Sequence, residues 1–365
     1  MTMLLSGIFP AITTPFYPDG QVYYRKLEHN VHRYAMGPLA GIVALGSTGE
    51  APMLSDEEKR GVLKCAIESA APEKVMIAGA GAESAIETLR MAEFAASLGY
   101  DVAMVRTPHF YKTETKPANI LAFYRFVADR SPVPVVIYNI PQATGYDIPV
   151  EVVAELAEHE NIAAIKESSG SIAKVQLMVE RTRHIKREAT VTERFEAVTG
   201  RMLKAATAAK AEGELVPVGA LAGTASQTPQ PVASKPSSSA VQVVGNLKTR
   251  KKNVGFQVMV GAAQKLYPSL EAGAAGAILA FADAAPTACF EVYAAFKDGD
   301  KPLAQLKQER IAEAAQRIAA ELSIPGVKYA MELNGYYGGN ARLPMLPLTA
   351  ETKREIEPLM ENIRS

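Results

Sequence analysis

Between residues 8 and 183 this chain alternates short, uniformly apolar runs with amphipathic stretches, six times over, and that rhythm leaves few folds open. The runs at 8–14, 42–45, 75–80, 102–105, 135–138 and 162–166 lack the alternating polar residues of a half-solvated strand, so both faces need cover. The stretches between them, 23–36, 55–69, 84–98, 117–128, 150–159 and 172–183, read as helices. The second opens with Ser55-Asp56-Glu57-Glu58, a capping box with acids in its first turn. Strand–helix pairs of this kind build a parallel sheet wrapped by helices. A chain of 365 residues has room for one α/β barrel or for two smaller domains.

The rhythm stops after Arg183 and returns near Gly255. In between, 193–210 reads as an amphipathic helix, and 224–240 is rich in Ser, Pro, Gln and Ala and reads as a mobile linker. Lys248-Thr249-Arg250-Lys251-Lys252 reads as a solvated patch rather than a nucleic-acid site. Strands at 256–260 and 277–281, with a helix at 266–272 between them, bring the count to eight. The expected fold is therefore a (β/α)8 TIM barrel with an insertion between helix 6 and strand 7 and extra C-terminal helices at 287–296, 303–322, 327–334 and 351–363. By this reading 1–185 are barrel units one to six, 186–255 a partly flexible insertion, 256–284 units seven and eight, and 285–365 the helical extension. An insertion between a helix and the next strand leaves the barrel at the face opposite the usual active site.

Lys+Arg and Asp+Glu both number 39, which gives no electrostatic footprint for nucleic acid or an anionic membrane. The two cysteines, Cys65 and Cys289, show no CxxC or metal spacing, and no apolar run approaches the ~20 residues of a membrane span. The first residues carry no basic region and no long apolar stretch. A soluble, cytoplasmic protein is expected.

In a barrel, residues at the C-terminal ends of strands face the active site. Ile162-Ala163-Ala164-Ile165-Lys166-Glu167 ends such a strand in lysine, and Pro134-Val135-Val136-Ile137-Tyr138 ends its neighbour in a phenol. A lysine amine is a nucleophile only when unprotonated, a form that an apolar pocket favours, and it can then form an imine with a carbonyl. After the second strand, Gly46-Ser47-Thr48-Gly49-Glu50 offers hydroxyls and backbone N–H groups to a carboxylate. Alone, Lys166 could equally cap a strand in water; with the phenol and the carboxylate clamp, imine chemistry on a 2-oxo acid is the better fit.

These three motifs, in this order and each at a strand end, resemble the dihydrodipicolinate synthase/N-acetylneuraminate lyase family of class I aldolases. The resemblance covers nearly everything except the insertion. It implies that Lys166 forms the imine with pyruvate or another 2-oxo acid, that Tyr138 moves the proton of the hydroxyl made or broken, and that Ser47 and Thr48 bind the carboxylate and position the phenol. Thr48 is thus counted with the catalytic residues as well as with the substrate-binding ones. Ser168, two residues past the lysine, and Gly261, after strand seven, join Ser47 and Thr48 as substrate-binding positions. The resemblance also implies a dimer or tetramer, with no metal or organic cofactor.

Two departures narrow the resemblance. Where a dihydrodipicolinate synthase carries an arginine two residues after the proline of the tyrosine motif, Pro141-Gln142-Ala143 has a methyl group, which cannot replace a fork-shaped donor. Thr107-Pro108-His109-Phe110-Tyr111 puts Phe110 in the place of that synthase's relay tyrosine, with Tyr111 next to it. The stretches Ile324-Pro325-Gly326-Val327-Lys328 and Gly335-Tyr336-Tyr337-Gly338-Gly339 look more like 4-hydroxy-2-oxoglutarate aldolases. The expected activity is a lyase joining or cleaving pyruvate and an aldehyde, as in 4-hydroxy-2-oxoglutarate. The alternatives are dihydrodipicolinate synthase acting on aspartate semialdehyde, a sugar-acid lyase, or a non-catalytic 2-oxo-acid sensor. Gly79-Ala80-Gly81 lacks the third glycine of a dinucleotide fingerprint and reads as close strand–helix packing. His29 and His32 share a helix face without further metal donors and read as a solvated pair.

Overall fold

The computed structural model describes residues 2–194, 196–213, 242–244 and 247–363. Eight parallel strands form one sheet in the order β1, β11, β10, β6, β5, β4, β3, β2. They are β1 (Gly7–Pro10), β2 (Gly41–Ala44), β3 (Val75–Gly79), β4 (Val102–Arg106), β5 (Val135–Asn139), β6 (Ile162–Glu167), β10 (Gln257–Val260) and β11 (Gly276–Leu279). Hydrogen bonds from Ala40 N–H to the Ile8 carbonyl (3.0 Å) and from Ile12 N–H to the Val43 carbonyl (2.9 Å) join the two edge strands. The sheet therefore closes into the (β/α)8 barrel that the strand–helix rhythm predicts.

Side chains alternate across each strand. Phe9, Val43, Ile77, Met104, Val136, Ala164, Met259 and Ile278 pack together inside the barrel. Their outward neighbours, among them Ile42, Met76, Val105, Ile137 and Ile165, are buried beneath the helices. Double cover explains why the strands read as continuous apolar runs. Ser55 caps the helix Asp56–Ser69 with both halves of the capping box formed.

Between the helix Ile172–Thr182 and β10, residues expected to be irregular or helical instead include a three-stranded antiparallel sheet: β7 (Arg187–Thr192), β9 (Leu247–Val254) and β8 (Gln242–Val244). The basic run lies in β9 and pairs with β7, Lys252 opposite Ala189 and Arg250 opposite Val191. Its Thr249 is buried, so the run is a strand rather than a bare solvated patch. Ala189 and Val191 on β7 pack with Leu4 and Val254. The helix in this region is Gly200–Gly213, starting seven residues later than expected, and an antiparallel bridge pairs Val191 with Ala197 ahead of it. The Ser/Pro/Gln-rich stretch 224–240 lies outside the described residues.

This sheet and helix sit at the N-terminal end of the barrel. The Arg187 guanidinium donates to the carbonyls of Ala157 and His159. Thr199 Oγ1 donates to the Pro72 carbonyl (2.5 Å), Gly200 N–H to Asp101 Oδ1 (3.3 Å) and Arg201 Nη1 to the Ala70 carbonyl (3.0 Å). All of these partners lie at helix C-termini or on the helix-to-strand turns that follow, away from the strand ends that carry Lys166 and Tyr138.

At the other end the C-terminal helices grip the turn after β2. Glu50 closes that turn at a left-handed φ of 55°, and its buried Oε1 lies 2.6 Å from Lys328 Nζ, in the helix Ser323–Leu333. Lys328 also donates to the carbonyls of Thr14 (2.9 Å) and Asn340 (3.0 Å), and Glu50 Oε2 accepts from Arg342 N–H (2.8 Å). Burial pulls the Lys328 amine below its usual range, partly countered by Glu50. Removing one partner of a buried pair leaves the other charge uncompensated. Lys328→Met should therefore cost roughly 3–5 kcal/mol in a denaturant titration. The double variant Lys328→Met/Glu50→Leu should recover part of that. A single variant as stable as the parent would show that the pair does not hold the turn.

Candidate active site

The alternation that fills the barrel also selects what stands at its mouth. Continuing the inward positions by one step from Met104, Val136, Ala164 and Met259 reaches Arg106, Tyr138, Lys166 and Gly261. The register puts Arg106 beside Tyr138 and Tyr138 beside Lys166 on adjacent strands. Lys166 is 4% exposed, and its Nζ lies 4.2 Å from the centroid of the Tyr138 ring. The Tyr138 hydroxyl is 3.3 Å from Ser47 Oγ. Two of the expected catalytic residues thus meet, with Ser47 completing the group.

The outward neighbours hold these strand ends in place. Asn139 Nδ2 donates to Glu167 Oε2 (2.9 Å) and Asp147 Oδ1 (2.7 Å), while Glu167 Oε1 accepts from Ser169 N–H (2.6 Å). Lys174 pairs with both acids. These two strand ends therefore each carry an inward residue at the barrel mouth and an outward one for anchoring.

The turn 46–50 is tight. Gly49 N–H and Glu50 N–H donate back to the carbonyls of Gly46 and Ser47, and Thr14 Oγ1 donates to the Gly49 carbonyl (2.7 Å). Among the described residues, the N–H groups of Ser47 and Thr48 have no partner. Free neighbouring amides of this kind suit a carboxylate. Thr48 itself is buried, 8% exposed, and makes no side-chain hydrogen bond among the described residues, so the hydroxyl beside the phenol is that of Ser47.

Ser168 and Gly261 also meet. A Cβ on Gly261 would fall 2.1 Å from Ser168 Oγ, so this close approach requires glycine. Ser168 Oγ is buried without a hydrogen-bond partner among the described residues. Gly79 serves a similar purpose, since a Cβ there would lie 1.9 Å from the Leu45 carbonyl oxygen. The glycines at 79 and 81 thus accommodate neighbouring strand ends, Leu45 and Arg106, rather than a helix as expected from the sequence.

A cavity of about 380 Å³ opens beside this group, lined by Ser47, Tyr138, Met104, Arg106 and residues 79–82 among others. Lys166 is not among its lining residues; it stands against the Tyr138 ring. Phe110 and Tyr111 are 73% and 72% exposed, and neither lines the cavity. Tyr336 stacks on Tyr34 (4.7 Å), and Tyr337 exchanges hydrogen bonds with Asn30, so both are tied into packing. Among the described residues there is no group of three or more metal donors, and no helix is long and apolar enough to cross a membrane.

Two residues escaped the sequence reading. Asp283, fully buried in the helix Phe281–Ala284, accepts from Thr13 N–H (2.9 Å) through Oδ2, and its Oδ1 has no partner among the described residues. Burial pushes its carboxyl well above the usual carboxylate range, against the Thr13 N–H and the charge of Lys166. An acid in an otherwise apolar run after the last strand was the available signal. Arg106, discussed below, shares the inward parity of Tyr138 and Lys166.

The dihydrodipicolinate synthetase family model matches residues 4–209 and 220–363. The chain is 27% identical over 357 residues to a 4-hydroxy-tetrahydrodipicolinate synthase of Methanothrix thermoacetophila, covering 98% of this chain and 96% of that protein. It is 29% identical over 354 residues to a protein of the same name from Methanosarcina barkeri, covering 97% and 96%. Among solved structures, a prophage protein of E. coli K12 from the same family, in complex with pyruvate, superposes with a TM-score of 0.74 at 23% identity over 99% of each chain. Fold and site together define a barrel enzyme of the class I, lysine Schiff-base type. The chain belongs to the dihydrodipicolinate synthetase family and is a lyase. That membership leaves the non-catalytic sensor reading without support.

Proposed function

We propose that this lyase makes or breaks a carbon–carbon bond between pyruvate and an aldehyde through an imine on Lys166. The observation that carries the reading is the buried Lys166 amine 4.2 Å from the Tyr138 ring, with Ser47 on the phenol. In cleavage, Nζ attacks the 2-oxo carbon of a 4-hydroxy-2-oxo acid, and loss of water leaves an iminium ion. Tyr138 takes the C4 hydroxyl proton, the C3–C4 bond breaks, the aldehyde departs, and the bonding pair flows into an enamine. Protonation at C3 and addition of water release pyruvate and restore the amine. Condensation runs these steps in reverse. Covalent capture divides one carbanion step into easier ones. The free N–H groups of Ser47 and Thr48 would receive the carboxylate of the 2-oxo acid, with Ser168 against it from β6 and Gly261 leaving room.

The names of the two archaeal relatives support pyruvate plus aspartate semialdehyde as the reactants, and this reading now stands ahead of 4-hydroxy-2-oxoglutarate cleavage. A specific observation keeps the second reading: Ala143 is an exposed methyl group where the synthase motif has its arginine. Measuring pyruvate consumption with aspartate semialdehyde, beside pyruvate release from 4-hydroxy-2-oxoglutarate and from 2-keto-3-deoxy sugar acids, separates these readings. Turnover of the first substrate pair alone would exclude the second reading, and turnover of none would defeat the proposal. Assembly into dimers or tetramers and the treatment of 186–255 as a unit apart from the barrel belong to the same proposal. Light scattering of a variant lacking 187–254 addresses both.

A further inference from the structure

We propose that Arg106 is the residue that selects aldehydes bearing a carboxylate, by holding that carboxylate on the side of Tyr138 away from Lys166. This rests on the imine reading above and names the acceptor class it requires. The strand register sets the order. Lys166, Tyr138 and Arg106 occupy one row on three adjacent strands, each strand roughly 5 Å from the next. A 4-hydroxy-2-oxo acid with a terminal carboxylate presents three features in the same order: the carbon that forms the imine, the hydroxyl that loses its proton, and the distal anion. With the first at Lys166 and the second at Tyr138, the third falls on the Arg106 side.

Arg106 has donors free for that task. Its side chain is 19% exposed and lines the cavity together with Tyr138 and Ser47. Among the described residues, all of its hydrogen bonds leave from Nη1: to Glu83 Oε1 (2.8 Å), to His109 Nδ1 (2.8 Å) and to the Thr107 carbonyl (3.3 Å). Nε and Nη2, the edge that binds a carboxylate with two parallel bonds, carry none. Glu83 is already engaged, since its Oε2 accepts the N–H groups of His109 (2.9 Å) and Phe110 (3.0 Å). It therefore fixes the guanidinium by one nitrogen. The backbone of Gly81 lets Arg106 lie close, as a Cβ there would meet Arg106 N at 2.6 Å and Cγ at 2.8 Å. Ala143, exposed and without a donor, cannot do this work.

The test measures kcat/KM for condensation of pyruvate with glyoxylate and with glycolaldehyde, which differ in a carboxylate against a hydroxymethyl group. The parent should prefer glyoxylate. Arg106→Gln should reduce that preference by roughly 10²-fold, mainly through the KM for glyoxylate. Arg106→Lys keeps the charge without the fork and should fall between the two. Loss of activity in the same proportion on both aldehydes would reduce Arg106 to a prop for its loop, and an unmoved ratio, or no preference in the parent, would equally overturn the proposal. Borohydride labelling with pyruvate alone separates the two levels of argument. A labelled Lys166 with an unmoved ratio sinks only the role of Arg106, whereas an unlabelled parent removes the imine reading beneath it as well.

Discussion

Lys166→Ala should abolish turnover, with kcat/KM falling roughly 10⁴–10⁶-fold, the scale on which deletion of a covalent nucleophile acts. No other group in the row can replace it: Tyr138 stands beside it and Arg106 beyond Tyr138, and neither offers an amine able to form an imine. The loss should be chemical rather than structural. Among the described residues Lys166 makes no hydrogen bond, and its contact is with the Tyr138 ring. Thermal unfolding of the variant should accordingly stay close to that of the parent. Lys166→Arg keeps a long side chain against the ring without an amine that can form an imine, and should be as inactive as the alanine variant. If either variant kept even a tenth of the parent rate, the lysine would be an ordinary strand cap.

Tyr138→Phe should cost roughly 10²–10⁴-fold in kcat, the usual contribution of a placed general acid or base. The ring remains, so its contact with Lys166 and its place among the inward side chains survive. What disappears is the hydroxyl that Ser47 approaches at 3.3 Å. Imine formation with pyruvate should persist while cleavage of the C3–C4 bond slows, so the variant should still be labelled by pyruvate and borohydride. Ser47→Ala should cost less, since Ser47 orients the phenol and does not replace it. A Tyr138→Phe variant with a normal rate would require another proton carrier, and the exposed Tyr111 does not line the cavity.

Much of this was readable in the sequence, for a physical reason. Strands covered on both faces have no polar residue until they end, so the first polar or charged residue after an apolar run marks the mouth of the barrel. Lys166 and Tyr138 stand out for that reason, and Arg106 carries the same mark within an Arg-Thr-Pro sequence. The β7–β9 pair leaves only a weak signal in the sequence, because only Ala189 and Val191 alternate among charged and polar neighbours, and β9 offers a single buried threonine in its basic stretch. The last barrel strand ends at Leu279 rather than at 281, since the apolar run continues from Leu279 into the helix Phe281–Ala284 without a polar break. Asp283 could not be ranked from sequence, because its isolation depends on residues as distant as Thr13 and Tyr34 closing around it.

The central claim is that Lys166 binds a 2-oxo acid covalently. The most direct measurement is mass spectrometry of peptides from the parent protein after incubation with pyruvate and borohydride. One added, reduced pyruvate unit is expected, located on Lys166 and absent from Lys166→Ala. An unmodified Lys166 peptide, or the same label on another lysine, would contradict it.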